Sequence, residues 1–218
     1  MSADPAMLSY YTQRAREFDR VYEKPERQED LAVLRARVAA LLGGRRVFEV
    51  ACGTAWWTQH YAPVAREVFA TDLSDEMLDL ARSRGLPYPR VRFARGDAFA
   101  LPVPPHPCDA GFAAFWWSHL RRDGELAAFL AHFLERLEPG ARFLFIDNRF
   151  VEGSSTPISR VDDRGNSYQV RQLENGATHE VLKNFPTREE VEYLLSDLAR
   201  ETVWEPVRHY WMVWGEKR

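Results

Sequence analysis

Apolar and polar residues follow two alternating periods along most of the chain, one typical of strands and one typical of helices. Short apolar runs of strand length occur at 46–51, 67–71, 91–94, 109–114 and 142–146. Segments with apolar residues at helical spacing stand between them, including 54–62, 74–85 and the most regular one, 125–137. This order predicts a mostly parallel sheet with helices on both faces. Two final runs, 202–205 and 209–214, predict a seven-stranded α/β sheet with an antiparallel last strand.

Two further segments are predicted outside this sheet. An aromatic stripe at helical spacing predicts a helix over 8–22, which either docks onto the core or covers a pocket as a lid. After the fifth strand, a loop leads to two strand-like runs joined through Asn175-Gly176, which is a hairpin signal. We therefore expect a single domain over 1–218, with an N-terminal helical lid at 1–30 and an inserted loop and hairpin at 148–186.

Composition narrows the class of protein. The 218 residues carry a net charge of −3, and no local cluster of basic residues stands out, which argues against a nucleic-acid partner. The N-terminus lacks the pattern of a signal peptide, and no apolar segment is long enough to span a membrane. The two cysteines, Cys52 and Cys108, do not have the spacing of metal ligands. We expect a cytoplasmic protein without a metal site.

Acidic residues stand at the ends of the first three strands. Glu49 lies just before the turn at the end of the first strand, Asp72 follows the second strand and Asp97 follows the third. The carboxyl ends of parallel strands share one edge of a sheet, which is where ligands bind. A single acid there is equally well explained as a strand end or a helix cap, but three in register favour a binding site. Asp72 follows Glu49 at about the 20-residue offset at which an acid reaches ribose hydroxyls.

The turn after the first strand consists mainly of small residues, Val50-Ala51-Cys52-Gly53-Thr54-Ala55. Such a turn lets a ligand approach the backbone closely. A dinucleotide-binding turn needs three glycines to admit a pyrophosphate, and this one contains a single glycine, Gly53. The turn therefore argues against a nicotinamide-dependent oxidoreductase.

Four segments together resemble the class I S-adenosylmethionine-dependent methyltransferases, and the likeness extends over nearly the whole chain. They are Glu49-Val50-Ala51-Cys52-Gly53-Thr54-Ala55, Asp72-Leu73-Ser74, Gly96-Asp97-Ala98 and Leu137-Glu138-Pro139-Gly140. In the family pattern an acid precedes three alternating glycines, and here Ala51 and Ala55 replace two of them. The resemblance implies a Rossmann-like fold, S-adenosylmethionine as cofactor and S-adenosylhomocysteine as product.

The resemblance also implies roles for individual residues. Glu49, Ala51 and Gly53 would lie beside the methionine part of the cofactor, with Glu49 acting on its ammonium through the loop or a water. Asp72 would accept hydrogen bonds from both ribose hydroxyls. Leu73 and Met77 would line an adenine face, Asp97 and Ala98 would bind the adenine edge, and Tyr11 of the lid would complete the cofactor site.

The acceptor side follows from the same comparison. His119, just after the fourth strand, is the candidate general base, although a capping or surface histidine is the more common interpretation. The candidate substrate-binding residues are Tyr10, Trp116, Trp117, Asn148, Arg149 and Arg171, of which the last three are suited to an acidic group. The base-modifying Asn-Pro-Pro-aromatic segment is absent after strand four, so a small-molecule acceptor is expected.

Three functions remain open at this stage. The first is in-line methyl transfer to a small molecule. The second is attack on another carbon of the sulfonium, by cyclisation or aminocarboxypropyl transfer. The third is a non-catalytic module that senses the cofactor. The sequence leaves the acceptor atom and the oligomeric state undetermined.

Overall fold

The computed structural model describes residues 5–218, apart from the side chains of residues 5–8 and 16. Residues 1–4, which the predicted lid includes, lie outside the described residues. The strands are β1 (Arg46–Val50), β2 (Glu67–Asp72), β3 (Val91–Arg95), β4 (Ala110–Ala114), β5 (Arg142–Asn148), β6 (Arg160–Val161), β7 (Ser167–Gln172), β8 (Thr178–Leu182), β9 (Ala199–Pro206) and β10 (Tyr210–Lys217).

Seven of these strands form the central sheet, in the order β3-β2-β1-β4-β5-β10-β9. Neighbours from β3 to β5 pair in parallel, whereas β10 runs antiparallel to both β5 and β9. The predicted mostly parallel sheet with an antiparallel last strand is therefore confirmed. The strand order reverses between β1 and β4, and in such a sheet a crevice opens at the carboxyl ends of the strands at that point.

Helices cover both faces of the sheet. The α-helices are α1 (Pro5–Arg14), which contacts β8 of the insert, α2 (Gln28–Leu42), α3 (Thr58–Tyr61), α4 (Asp75–Ser83), α5 (Glu125–Glu135) and α6 (Arg188–Leu195). Leu31, Leu34 and Val38 of α2 are buried in a core cluster on one face. Phe129 and Phe133 of α5 belong to the cluster on the other. Because both faces are covered, the inner strands are almost continuously apolar.

Capping residues begin two of the helices where the sequence places them. The Ser74 hydroxyl accepts a hydrogen bond from the Met77 N–H at the start of α4. At the start of α6, Thr187 and Glu190 each accept a hydrogen bond from the other's backbone N–H, forming a capping box. Each cap satisfies N–H groups that the first helical turn leaves without partners.

Three predicted elements differ from the structure. The helix expected over 54–62 is confined to α3, because 51–55 forms a turn with left-handed residues that cannot join a helix. The helix expected over 8–22 is α-helical only to Arg14 and continues as a 3₁₀ helix over Ala15–Tyr22. The insert contains a third strand, β6, so that β6-β7-β8 forms a small sheet rather than a two-stranded hairpin.

The described residues contain no helix with the length and apolar character needed to cross a membrane. Both Cys52 and Cys108 are buried and free.

Candidate functional site

A cavity of about 410 Å³ opens at the carboxyl ends of the parallel strands. Its size falls in the range of about 300–1,000 Å³ that is usual for small-molecule and cofactor sites. Residues after β1, β2 and β3 line one part of it, and residues after β4 and β5 line another. The N-terminal segment, residues 5–27, and the insert, residues 148–186, complete the lining. The cavity therefore lies where the strand order predicts a ligand.

The turn after β1 forms part of the cavity wall through Ala51 and Gly53. Its three alternating positions Ala51, Gly53 and Ala55 all have a left-handed backbone, with φ of 55°, 55° and 60°. The Cys52 N–H donates to the Thr71 carbonyl at 3.0 Å and ties the turn to β2. Two alanines thus adopt a conformation that glycine adopts at no steric cost.

Asp72 supports the same turn from the end of β2. Its Oδ2 accepts the Gly53 N–H at 2.8 Å, and its Oδ1 accepts the Ser74 N–H at 2.9 Å. Burial raises the pKa of Asp72, while these backbone donors lower it. Asp72 lines the cavity, so the carboxylate both holds the turn in place and presents acceptor oxygens to a ligand.

Next to Asp72, three apolar residues and a second acid line the cavity. Leu73, Met77 and Ala98 line the cavity together with Asp97 after β3. The Asp97 Oδ1 accepts the Phe99 N–H at 2.9 Å, which fixes the direction of the carboxyl group. An apolar slot with an acid at its edge suits a planar heterocycle that carries hydrogen-bond donors.

Glu49 is buried and is not among the residues that line the cavity. Its Oε2 accepts hydrogen bonds from the Thr58 hydroxyl at 2.7 Å and the Tyr61 hydroxyl at 2.7 Å. Burial raises the pKa of Glu49 to about 7, although both hydroxyl donors lower it. The carboxyl group therefore joins β1 to α3 behind the turn, and any effect on a ligand passes through the turn.

The N-terminal segment covers the cavity with aromatic side chains. Tyr10, Tyr11, Phe18 and Tyr22 all line it. The Phe18 ring stands over Gly53, where a Cβ would lie 3.6 Å from it. The ring of Tyr22 stacks on Trp56 with centroids 3.8 Å apart, so this tryptophan supports the segment rather than lining the cavity.

His119 lines the cavity and is held by two hydrogen bonds. Its Nδ1 lies 2.7 Å from the Leu182 carbonyl, and its Nε2 lies 2.7 Å from the Tyr11 hydroxyl. Because a carbonyl only accepts, Nδ1 carries the hydrogen and Nε2 accepts from Tyr11. Burial and the nearby charges of Lys183 and Arg171 hold the pKa of His119 well below its usual value. The imidazole is therefore neutral near pH 7, and burial raises the pKa of Tyr11 to about 12.

The structure brings some of the predicted acceptor residues to the cavity and not others. Tyr10, Trp116, Asn148 and Arg171 line it. Trp117 is buried in the core, with its ring 5.5 Å from that of Trp211. Arg149 is exposed and donates to the Val207 carbonyl. Neither Trp117 nor Arg149 is among the lining residues, so the site that we propose omits both.

Several charged residues around the cavity escaped the sequence analysis. Arg14, Arg27 and Lys183 line it, and Asp147 lies beneath Lys183. The Lys183 Nζ lies 3.0 Å from Asp147 Oδ1 and also donates to the Ser118 hydroxyl. One sequence signal for Lys183 exists: it follows the buried Val181 at strand period, which predicts an inward-facing side chain.

Sequence comparisons with known proteins agree on one class of enzyme. A family described as "Methyltransferase domain" matches residues 47–140. The chain is 30% identical over 154 residues to a probable S-adenosylmethionine-dependent methyltransferase of Mycolicibacterium smegmatis, covering 69% of this chain and 55% of that protein. It is 35% identical over 101 residues to a demethylmenaquinone methyltransferase of Renibacterium salmoninarum, covering 46% of this chain and 40% of that one. The chain thus spans about half the length of these curated relatives.

Several solved structures share this fold over nearly the full chain. The crystallised complex described as "DhpI-SAM-HEP" superimposes with a TM-score of 0.77 and 27% sequence identity, covering 96% of this chain and 95% of that one. The likeness includes the N-terminal segment and the insert as well as the central sheet, because so little of either chain is left out.

Proposed function

Because the chain belongs to the class I S-adenosylmethionine-dependent methyltransferases, we propose that it transfers a methyl group from S-adenosylmethionine to a small-molecule acceptor by in-line displacement. The single observation that carries the proposal is the cavity at the carboxyl ends of the strands, where Asp72 and the left-handed turn meet under an aromatic cover. The demethylmenaquinone methyltransferase that the chain resembles is named for a small-molecule acceptor, which supports the same class here.

The residues around Asp72 fit the cofactor. Each Asp72 oxygen accepts one backbone N–H and keeps a lone pair for a ribose hydroxyl. Leu73 and Met77 offer an apolar surface to adenine, and Asp97 with the Ala98 backbone faces the edge of the base. On the other side of the turn, Ala51 and Gly53 are small enough for an amino-acid tail to pass, with Tyr11 above and Glu49 behind.

When bound, S-adenosylmethionine supplies a methyl group on a sulfonium whose leaving group is already good. The chain therefore has to bind, orient and exclude water rather than activate the methyl group. Tyr10 and Trp116 lie on the acceptor side, where their rings provide flat apolar surfaces. Phe18 and Tyr22 cover the cavity from the N-terminal segment, which we interpret as a lid.

A proton released by the acceptor has a route within the chain. The Tyr11 hydroxyl donates to the neutral Nε2 of His119, while Nδ1 donates to the Leu182 carbonyl. As Tyr11 gives its proton to Nε2, it takes one from the acceptor, so His119 acts as the base through Tyr11. A positioned base of this kind contributes about 10²- to 10⁴-fold to rate. Full turnover of His119→Gln across pH would exclude this role.

The proposal is tested by incubating the protein with methyl-labelled S-adenosylmethionine and a set of small-molecule acceptors. Mass spectrometry is expected to find S-adenosylhomocysteine together with a labelled product. Asp72→Ala is expected to weaken S-adenosylhomocysteine binding about tenfold or more by calorimetry, since hydrogen bonds to a charged group contribute about 1.5–3 kcal/mol. Asp75→Ala removes an exposed acid from the first turn of α4 and serves as the matched control.

Other outcomes point to the other two functions. Recovery of methylthioadenosine would mean that another carbon of the sulfonium is attacked. Tight cofactor binding without turnover on any acceptor would favour a sensing module. Unchanged affinity in Asp72→Ala would remove Asp72 from the cofactor site.

A further inference from the structure

Charged residues divide the cavity lining into two parts. The acids Asp72 and Asp97 lie at the end of β2 and after β3, on the side assigned to the cofactor, and one further acid, Glu17, lines the cavity from the N-terminal segment. Five cations from the N-terminal segment and the insert line the cavity: Lys24, Arg27, Arg171 and Lys183, and also Arg14, which lies near the turn after β1. Lys24, Arg27, Arg171 and Lys183 outnumber the two acids near them, Glu17 in the lining and Asp147 beneath Lys183, so the acceptor part of the cavity is positively charged.

Arg27 is deeply buried, with 7% of its surface exposed. Its guanidinium donates to the Ser154 hydroxyl at 3.1 Å and to Asn148 Oδ1 at 3.2 Å, and it lies over the Tyr210 ring at 5.4 Å. Within the described residues, no carboxylate lies within ion-pair distance of it. Arg27 is therefore a buried cation whose hydrogen-bond partners are all neutral.

Arg171 on β7 has a similar environment. Its terminal nitrogen donates to Gln169 Oε1 at 2.9 Å, while its buried Nε has no hydrogen-bond partner among the described residues. The described chain offers it no carboxylate within 4.0 Å either. By contrast, Lys183 is balanced by Asp147 at 3.0 Å.

The charges of Arg27 and Arg171 both act on Lys183. Burial lowers the pKa of Lys183 to about 8, and the charges of Arg171 and Arg27 lower it as well, whereas Asp147 raises it. An unbalanced buried charge is unfavourable, and an anion that accepts its hydrogen bonds removes most of that cost. Arginine binds planar or tetrahedral oxoanions through two parallel hydrogen bonds, which suits this arrangement.

One anion is already expected in the cavity, namely the carboxylate of the cofactor. Arg14 is placed for it, because its guanidinium lies 5.9 Å from the centre of the Phe18 ring and that ring stands over Gly53. Arg27 instead contacts Asn148 at the end of β5 and Tyr210 at the start of β10. The two arginines therefore serve different parts of the cavity.

We propose that the acceptor carries an oxoanionic group, a carboxylate or a phosphate, that is bound by Arg27 and Arg171 in the acceptor half of the cavity. This inference rests on the proposed function because it takes the bound molecule to be the methyl acceptor. The anion site itself can be tested without turnover. Asn148 and Gln169 lie beside the two guanidinium groups and orient them.

The test measures anion binding to the full chain saturated with S-adenosylhomocysteine, so that the cofactor half is filled. Inorganic phosphate and acetate are titrated in separate arms at constant ionic strength, with chloride as the balancing salt. One or both are expected to raise the melting temperature and to give a calorimetric binding signal. A response to phosphate indicates a site for a tetrahedral anion, and a response to acetate indicates a site for a planar carboxylate.

Variants then locate the site. Arg171→Gln and Arg27→Gln are each expected to weaken anion binding about tenfold or more, because each removes charge-assisted hydrogen bonds. Arg164→Gln removes an exposed charge from the same insert, outside the cavity lining, and is expected to leave anion affinity unchanged. Arg27→Lys keeps the charge if Arg27→Gln fails to fold, and is expected to retain part of the affinity.

The outcomes separate this inference from the proposed function. Anion binding that depends on Arg27 and Arg171 in a protein that does not bind S-adenosylhomocysteine supports the anion site and contradicts the methyltransferase proposal. Normal S-adenosylhomocysteine binding without phosphate or acetate binding overturns the anion site alone. The anion site is also overturned if Arg164→Gln loses as much anion affinity as Arg27→Gln and Arg171→Gln, because the loss would then come from the change in net charge.

Discussion

At the scale of single residues, the turn after β1 combines a demanding backbone with side chains that do not favour it. Ala51, Gly53 and Ala55 all have φ between 55° and 60°. A non-glycine residue held there costs about 1–3 kcal/mol and persists only when its surroundings impose it. The hydrogen bonds from Cys52 to Thr71 and from Gly53 to Asp72 do so here.

Replacing Ala51 by glycine is expected to stabilise the protein. The variant removes the left-handed strain but gives the unfolded chain more freedom, so the net gain is expected to be up to about 1 kcal/mol. Denaturant unfolding measures it as a higher midpoint at unchanged slope. Ala39→Gly, within α2, is the control and is expected to cost about 0.5–1 kcal/mol. If Ala51→Gly loses as much stability as Ala39→Gly, the left-handed backbone at Ala51 is not strained.

His119 is expected to make stability fall in acid. Lys183, Arg171, Asp147 and Tyr11 are the charged or titratable groups that act on its ring, and burial is the largest cause of its lowered pKa. Below about pH 6.5 the unfolded chain protonates this histidine while the folded chain does not, so unfolding is favoured. The free energy of unfolding contributed by His119 is expected to fall by about 1.4 kcal/mol between about pH 7.5 and about 5.5.

The measurement is the difference in unfolding free energy between wild type and His119→Gln across that pH range. A difference is needed because Glu49, whose pKa is raised to about 7, acts in the opposite direction. His106→Gln, at an exposed position, supplies the control. A pH-independent difference for His119→Gln would show that the ring has the same pKa in the folded and unfolded protein, which contradicts the lowered pKa.

At the scale of elements, α5 packs so closely on β4 that one strand position excludes a side chain. A Cβ built on Gly111 would lie 2.5 Å from the Phe133 ring and 2.6 Å from Leu137 Cδ1. Both side chains belong to the core on that face of the sheet. Because β4 leads directly into Phe115 and Trp116, this packing also determines where these two residues meet the cavity.

Gly111→Ala is accordingly expected to destabilise the protein by about 1–3 kcal/mol, the usual cost of overpacking. Thermal or denaturant unfolding measures the loss. Gly43→Ala at the end of α2 is the comparison: the nearest atom to a Cβ there is the Ala39 carbonyl oxygen at 3.3 Å, and a change within about 0.5 kcal/mol is expected. Similar effects of both substitutions would mean that α5 shifts to make room for the added methyl group at little cost in stability.

The sequence predicts well those elements that depend on the spacing of apolar residues within a short segment and on helix-capping residues. The strands, Ser74 at the start of α4 and the capping box of α6 follow from positions a few residues apart. The order of elements and the stop at Pro63 predict a helix from Thr54 onward, and nothing local reveals a left-handed Ala55. That conformation depends on bonds to β2, which are tertiary.

Side-chain direction explains most of what the sequence missed at the cavity. Trp116 lines the cavity while Trp117 is buried, and Asn148 lines it while Arg149 is exposed. Neighbouring positions at a strand end point in different directions, so proximity in sequence to the site is not enough. Arg27 was missed for another reason, because only the folded chain brings it to the ends of β5 and β10.

At the scale of the whole molecule, the N-terminal segment is fastened to the body by a small polar network. Asp19 Oδ1 accepts from the Thr54 hydroxyl at 2.5 Å, and Asp19 also pairs with Arg84 after α4. Arg84 donates in turn to the Thr54 carbonyl. Arg20 forms a further ion pair with Glu174 of the insert. The same segment carries Tyr11 and Phe18 over the cavity, so its attachment and cofactor access are linked.

Asp19→Asn is expected to favour the open position of this segment. The ion pair with Arg84 is partly exposed, and such pairs contribute about 0.2–1 kcal/mol, so S-adenosylhomocysteine affinity is expected to fall up to about fivefold. A binding-competent state that is less populated weakens apparent affinity in proportion. Limited proteolysis within residues 5–22 is expected to be faster than in wild type in the free protein and to slow again with ligand.

Glu23→Gln, which removes an exposed acid just beyond the segment's 3₁₀ helix, is the control for Asp19→Asn. Equal affinity and equal proteolysis in Asp19→Asn and wild type would show that aromatic packing, such as that of Tyr22 on Trp56, closes the segment without the ion pair.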